Sequence, residues 1–188
     1  VTVTTVQAAF DTLRDEHRTV ERILDLLGKI ASLLRDESPV ARDLLPQAID
    51  LTENFVAMHE VKEEVIFPLL EIGNWRYHDT LEILSHEHER SRNLLTNLRE
   101  AATSYSAGNS SARTPILGMI EAYRKLLREH IDVEDNAVFS TRFLSSRSIS
   151  KEKLADVLAD FNETQSRSEA SALECIGLLE KLENQLSR

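Results

Sequence analysis

The chain has 188 residues, 41% of them apolar and 29% charged, with a formal net charge of −10 and a single cysteine. That length suits one domain with a sizeable core, and the composition excludes disorder and a membrane span as defaults. The acidic balance argues against a nucleic-acid partner, which needs clustered Lys and Arg, while lone Cys175 excludes an internal disulfide and any Cys-rich zinc or iron–sulfur site, so a cytoplasmic location is expected.

Helical periodicity runs nearly throughout, and an all-α fold is expected. The first helix should span about 6–35, with Phe10, Leu13, His17, Val20, Leu24, Leu27, Ala31 and Leu34 on one face, and Pro39 closing it off. The second should span about 41–71, bent at Pro68, with Leu45, Ala48, Thr52, Phe55, His59, Glu63, Ile66 and Leu70 in register. Gly73-Asn74 makes the break, and Trp75 and Tyr77 are expected to plug the bundle end. The third helix should start at His78 or Asp79 and reach Ser104, with Leu81, Leu84, His88, Ser91, Leu95, Leu98 and Ala102 on its stripe. Thr114-Pro115 reads as the cap and first residue of a fourth helix bearing Ile116, Ile120, Tyr123, Leu127, His130, Glu134 and Val138.

A Ser-rich joint at 145–150 leads to a fifth helix capped by Ser150. Its stripe is Leu158, Phe161, Gln165, Ser168, Ala172, Cys175, Leu179, Leu182 and Leu186, apolar at both ends and polar in the middle. Such a seam suits packing along the chain's own bundle or a homodimer through the C-terminal helix. The division expected is a helical bundle over 1–145 with the fifth helix, 146–188, as a packing or oligomerisation element of the same domain.

The sequence repeats itself. His17 to His59 and His88 to His130 are each 42 residues apart, and a shift of 71 maps the first pair on the second, Glu63 on Glu134 and Glu64 on Asp135. Phe10, Leu13 and Leu27 map likewise on Leu81, Leu84 and Leu98. This is the trace of a repeated two-helix unit, and so of a pseudo-twofold up-down-up-down four-helix bundle. The copies drift late: Phe67 lies eight residues beyond its His, Phe139 nine. His86 points away from His88 on a helix, and His78 sits at a helix start; both read as surface residues.

One inward His is usually a hydrogen-bonded core residue, and one His–Glu pair at i,i+4 is usually a surface ion pair. Four inward histidines and two inward glutamates at matching depth are different, because burying them uncompensated would cost at least several kcal/mol. A shared cation offsets that cost. Without thiolates, mixed nitrogen and oxygen ligands suit iron, manganese or catalytic zinc. Six ligands exceed the needs of one tetrahedral ion but fit two ions, each on two His and bridged by Glu63 and Glu134. No residue three before a His is Glu, against the ferritin-like pattern, and His-Glu-x-x-His is absent, against a zincin protease.

Glu16-His17, His59-Glu60-x-x-Glu63, Glu87-His88 and His130-x-x-x-Glu134, on four consecutive helices, resemble the hemerythrin-like (HHE cation-binding) domains over about residues 10–143. The resemblance implies a non-haem di-iron centre with an oxo, hydroxo or water bridge, able to meet oxygen, nitric oxide or peroxide. It implies His17 and His59 on one iron, His88 and His130 on the other, and Glu63 and Glu134 as bridges, with Glu60 matching an extra terminal ligand of some relatives. The oxygen carriers of the family have a fifth His four residues from another on the third helix; here those positions are Leu84 and Arg92. They also take the last carboxylate five residues after its His, which would be Asp135 rather than the Glu134 that the repeat favours. A protein that binds or senses oxygen, nitric oxide or peroxide, or handles iron or oxidative stress, is therefore expected. Turnover of peroxide or nitric oxide at the same centre, and a helical interaction module with a structural metal site, are the alternatives.

Overall fold

The computed structural model of the chain describes residues 2–73, 76–139 and 149–187. Five long helices and no strand occur among them: α1 Val6–Arg35, α2 Val40–Gly73, α3 Arg76–Ser106, α4 Arg113–Val133 and α5 Lys151–Leu186. Trp75, the Tyr77 side chain and residues 145–148 of the serine-rich joint lie outside the described residues.

Local chemistry sets the ends. Thr5 caps α1 by accepting from the Ala8 amide (3.1 Å), and Ser150 caps α5 by accepting from the Lys153 amide (3.1 Å). Gly108, at φ 101°, supplies the left-handed residue that turns the chain after α3, where the Gly108 amide donates to Tyr105 O (3.0 Å). The fourth helix starts earlier than Thr114-Pro115 suggests. A 3-10 turn at Ser110–Ala112 runs directly into Arg113, and Pro115 falls in the first helical turn, where its missing N–H costs nothing.

α1 packs on α2 and α4, α2 on α3, and α3 on α4, which is the closed ring of an up-down-up-down bundle. α5 lies along the outside of α1 and α2. Two apolar clusters fill the bundle. One gathers residues such as Leu24, Leu27, Leu45, Leu98, Ile116 and Ile120; the other gathers Phe10, Leu13, Ile66, Leu81, Leu84 and Phe139. α5 contributes Cys175, Leu179 and Leu182 to the first and Val157, Leu158 and Phe161 to the second. Its apolar seam is thus covered within its own chain, and its polar middle lies between the two clusters. Among the described residues no helix is long and apolar enough to cross a membrane.

Candidate metal centre

Between the two apolar clusters lies a buried polar layer: His17, His59, Glu63, His88, His130 and Glu134, each at most 5% exposed. They fall into two groups of four whose ligand atoms lie within 4.8 Å of one another, His17–His59–Glu63–Glu134 and Glu63–His88–His130–Glu134. The carboxylates are divided between the groups. Glu63 turns Oε1 to His59 Nε2 (2.8 Å) and His17 Nε2 (3.4 Å), and Oε2 to His88 Nε2 (3.3 Å). Glu134 turns Oε2 to His17 Nε2 (3.3 Å) and Oε1 to His130 Nε2 (3.3 Å). His88 Nε2 and His130 Nε2 stand 3.0 Å apart.

The far ring nitrogens are held by a second set of carboxylates. His59 Nδ1 donates to Glu16 Oε2 (2.9 Å), His130 Nδ1 to Glu87 Oε2 (2.9 Å), and His17 Nδ1 to Asp135 Oδ1 (2.8 Å). Such bonds fix the tautomer so that Nε2 presents its lone pair to the centre, and they make the imidazole a stronger donor. Among the described residues, buried His88 Nδ1 has no hydrogen-bond partner. Its repeat-related candidate would be Glu64, which is exposed.

The donor set fits a cation. His59 Nε2, Glu63 Oε2 and both Glu134 oxygens are buried and make no hydrogen bond among the described residues, although other polar atoms stand within 3.4 Å of them. They are close but misaligned for each other, as lone pairs directed at a shared ion are. Each buried polar atom left unpaired costs on the order of 1–3 kcal/mol, so a layer of them needs an outside partner.

The metal-free electrostatics agree. Burial disfavours the charged form of His17, but Asp135, Glu134 and Glu63 outweigh it and hold the ring up to about 11. Burial of His59 is likewise outweighed by Glu63 and Glu16, and burial of His130 by Glu134, Glu63 and Glu87, each held at about 9. Burial of Glu63 is overcome by His59, His17 and His88, which keep its carboxyl well below the usual range.

A π-helical turn, Glu134–Val138, completes the layer, closed by the Phe139 amide donating to Glu134 O (2.8 Å). A π turn absorbs one extra residue. That accounts for Phe139 lying nine residues beyond its His where Phe67 lies eight. The extra residue restores the pseudo-symmetry in space: Phe139 stacks on His17 (centroids 5.8 Å apart) and Phe67 on His88 (6.1 Å). The Arg14 guanidinium donates to the Asp135 and Phe139 carbonyls, satisfying acceptors that the turn releases.

A small cavity opens on this layer, lined by Val20, Val56, Leu127 and Ile131 together with His59, Glu60, Glu63, His88 and His130. It admits the centre of a water-sized molecule over about 10 Å³, enough for one water or diatomic. Glu60 stands in its wall, outside both groups of converging ligands. Its Oε2 accepts from Arg92 Nη1 (2.6 Å), and its buried Oε1 has no hydrogen-bond partner among the described residues. Burial raises the Glu60 carboxyl above the ordinary value, partly opposed by His88 and Arg92.

All six repeat-related candidates thus meet in one layer, while His78 and His86 are exposed, their side chains 66% and 73% accessible. Glu16, Glu87, Asp135 and Lys62 carry supporting contacts that sequence reasoning did not assign. For Glu16 and Glu87 the signal was present, since the 71-residue shift maps one on the other. Lys62 gave none.

Fold and layer together define a metal-binding four-helix bundle with a His/Glu donor set in its core. The sequence matches the family described as Hemerythrin HHE cation binding domain over residues 8–141, and the chain belongs to that family. No curated protein and no solved structure matches it. α5 lies outside the matched residues.

Proposed function

We propose that the protein is a non-haem di-iron protein that binds or senses a small oxidant: dioxygen, nitric oxide or peroxide. The observation that carries this is the division of Glu63 and Glu134, each with one oxygen toward His17 or His59 and the other toward His88 or His130. In this reading His17 and His59 hold one ion, His88 and His130 the second, and the two carboxylates serve both. Iron in such a setting supplies the one-electron and ligand-binding chemistry that small oxidants require. Manganese or zinc would use the same donors, and metal analysis separates them.

The chain's own residues supply the rest. Val20, Val56, Leu127 and Ile131 keep bulk water from the layer and leave room for one small molecule. Glu16, Glu87 and Asp135 fix the orientation of three rings. Glu60 places a buried carboxyl oxygen at the cavity beside His59, His88 and His130, where it can hydrogen-bond a bound guest. The net charge of −10 argues against nucleic acid as partner. The reading places the protein in the cytoplasm on the strength of its lone thiol. A homodimer through α5 would have to use the outward face, where Leu173 is 65% exposed, because the inward seam is covered.

The test is anaerobic reconstitution with ferrous iron, then exposure to oxygen, nitric oxide and peroxide in separate arms with optical spectra recorded. A stoichiometric, saturable spectral change in at least one arm, lost in His59→Ala, supports the reading. Consumption of peroxide or nitric oxide far beyond stoichiometry makes the protein an enzyme. Iron uptake with no response to any of the three leaves only a structural metal site and ends the proposal.

A further inference from the structure

α5 lies outside the family match, yet it reaches the centre. Lys62 is only 2% exposed, and its ammonium donates to Glu16 Oε1 and to Gln165 Oε1 of α5 (3.2 Å). The other oxygen of Glu16 holds His59 Nδ1 (2.9 Å). A continuous polar chain therefore runs from the middle of α5 through Lys62 and Glu16 to a ring whose other nitrogen faces Glu63. Burying a lysine ammonium is costly and tolerated only when it is paired.

The other half of the repeat has no such arrangement. The counterpart of Lys62 is Val133, 39% exposed. The counterpart of Glu16 is Glu87, which holds His130 Nδ1 (2.9 Å) and has no Lys or Arg in ion-pair reach among the described residues. The seam of α5 is polar at just this level and apolar on either side, so the bundle keeps a polar contact where packing would favour an apolar one.

We propose that Lys62, held by Gln165 of α5, is a positioning and charge-setting residue for the ion at His17 and His59. This rests on the di-iron reading above. A carboxylate that accepts an Nδ1–H pushes electron density onto the imidazole and strengthens it as a ligand. A cation on the same carboxylate withdraws part of that charge. His59, backed by Glu16 and Lys62, is then a weaker donor than His130, backed by Glu87 alone. The ion on the His59 side is biased toward its reduced form, and α5 keeps Lys62 in place.

The experiment is a redox titration of the full-length, iron-loaded chain, followed by its optical bands, on wild type, Lys62→Gln, Lys62→Arg and Gln165→Glu. Lys153→Gln, an exposed residue of α5, makes the same change in net charge away from the centre. Lys62→Gln should keep two irons per chain and shift one midpoint potential to lower values with a matching shift of the absorption band. Lys62→Arg should restore most of both. Gln165→Glu, which draws the ammonium away from Glu16, should move them in the same direction by less, and it decides the matter if Lys62→Gln does not fold. Two irons bound with potentials and bands unmoved relative to Lys153→Gln would overturn the proposal while leaving the di-iron reading intact. Failure of the wild type to take up iron would overturn both.

Discussion

The helix pairs Val6–Gly73 and Arg76–Val138 carry the same ligands at the same spacing and surround them differently. In the first, α2 runs on as regular helix beyond Glu63; in the second, α4 gives way to a π turn at Glu134 that Arg14 satisfies from across the bundle. His17 is backed by Asp135, while His88 Nδ1 has no hydrogen-bond partner among the described residues. Glu60 stands where the second half has Ile131, and Lys62 where it has Val133. Ligand positions obey the repeat because all six side chains must meet in one layer. Supporting residues are free to diverge, and that divergence gives the His17–His59 and His88–His130 pairs unlike surroundings within a duplicated unit.

Breaking the shared carboxylates should have the largest effect. Glu63→Ala and Glu134→Ala each remove the group that serves both halves, so metal content should fall from two to below one per chain in either variant. His17→Ala and His88→Ala should each lose one ion and keep the other, as judged by metal analysis after gel filtration. Smaller effects separate the halves further. Glu16→Gln and Glu87→Gln should weaken metal binding by about 10–100-fold each, as loss of a partner to a ligating histidine does. Asp135→Asn should weaken it too, whereas its repeat mate Glu64→Gln should leave it unchanged, since Glu64 is exposed. Competition against a chelator of known affinity measures all four.

The pH dependence of the metal-free chain follows from the raised histidines. From an ordinary 6.5, His17 is held at about 11 and His59 and His130 at about 9. Their stabilisation is complete below about pH 6.5 and is lost as pH rises through 9 and then 11. Glu63, depressed below its ordinary 4.5, contributes above that value and loses its contribution as pH falls below it. Thermal melts of the metal-free chain should therefore decline on both flanks, the alkaline decline starting near pH 6.5 and continuing to about pH 11. Ferrous iron bound at pH 7 should expel about three protons, one from each raised histidine, read by calorimetry in buffers of different ionisation enthalpy.

Much of this was legible in the sequence. Helical stripes placed all five helices within a few residues, since amphipathic periodicity is a strong signal over thirty-residue helices. The 71-residue shift separated four histidines from His78 and His86 by register. In the sequence the π turn shows only as a drift, eight residues to Phe67 and nine to Phe139, because nothing local in Glu-Asp-Asn-Ala-Val announces an i→i+5 bond. That Asp135, weighed as the last carboxylate ligand, holds His17 Nδ1 instead, and that Lys62 is buried, were out of reach for another reason. Each acts across the bundle on a helix more than forty residues away in sequence, and charged residues at such positions are ordinarily solvated.

Whether the duplicated unit builds one centre for two ions is tested most directly by counting them. After anaerobic loading with ferrous iron and removal of excess, the intact chain should retain two irons per molecule. The Mössbauer spectrum should resolve two ferrous environments, reflecting the unequal surroundings of the His17–His59 and His88–His130 pairs. A chain that retains well under one iron per molecule would contradict the account.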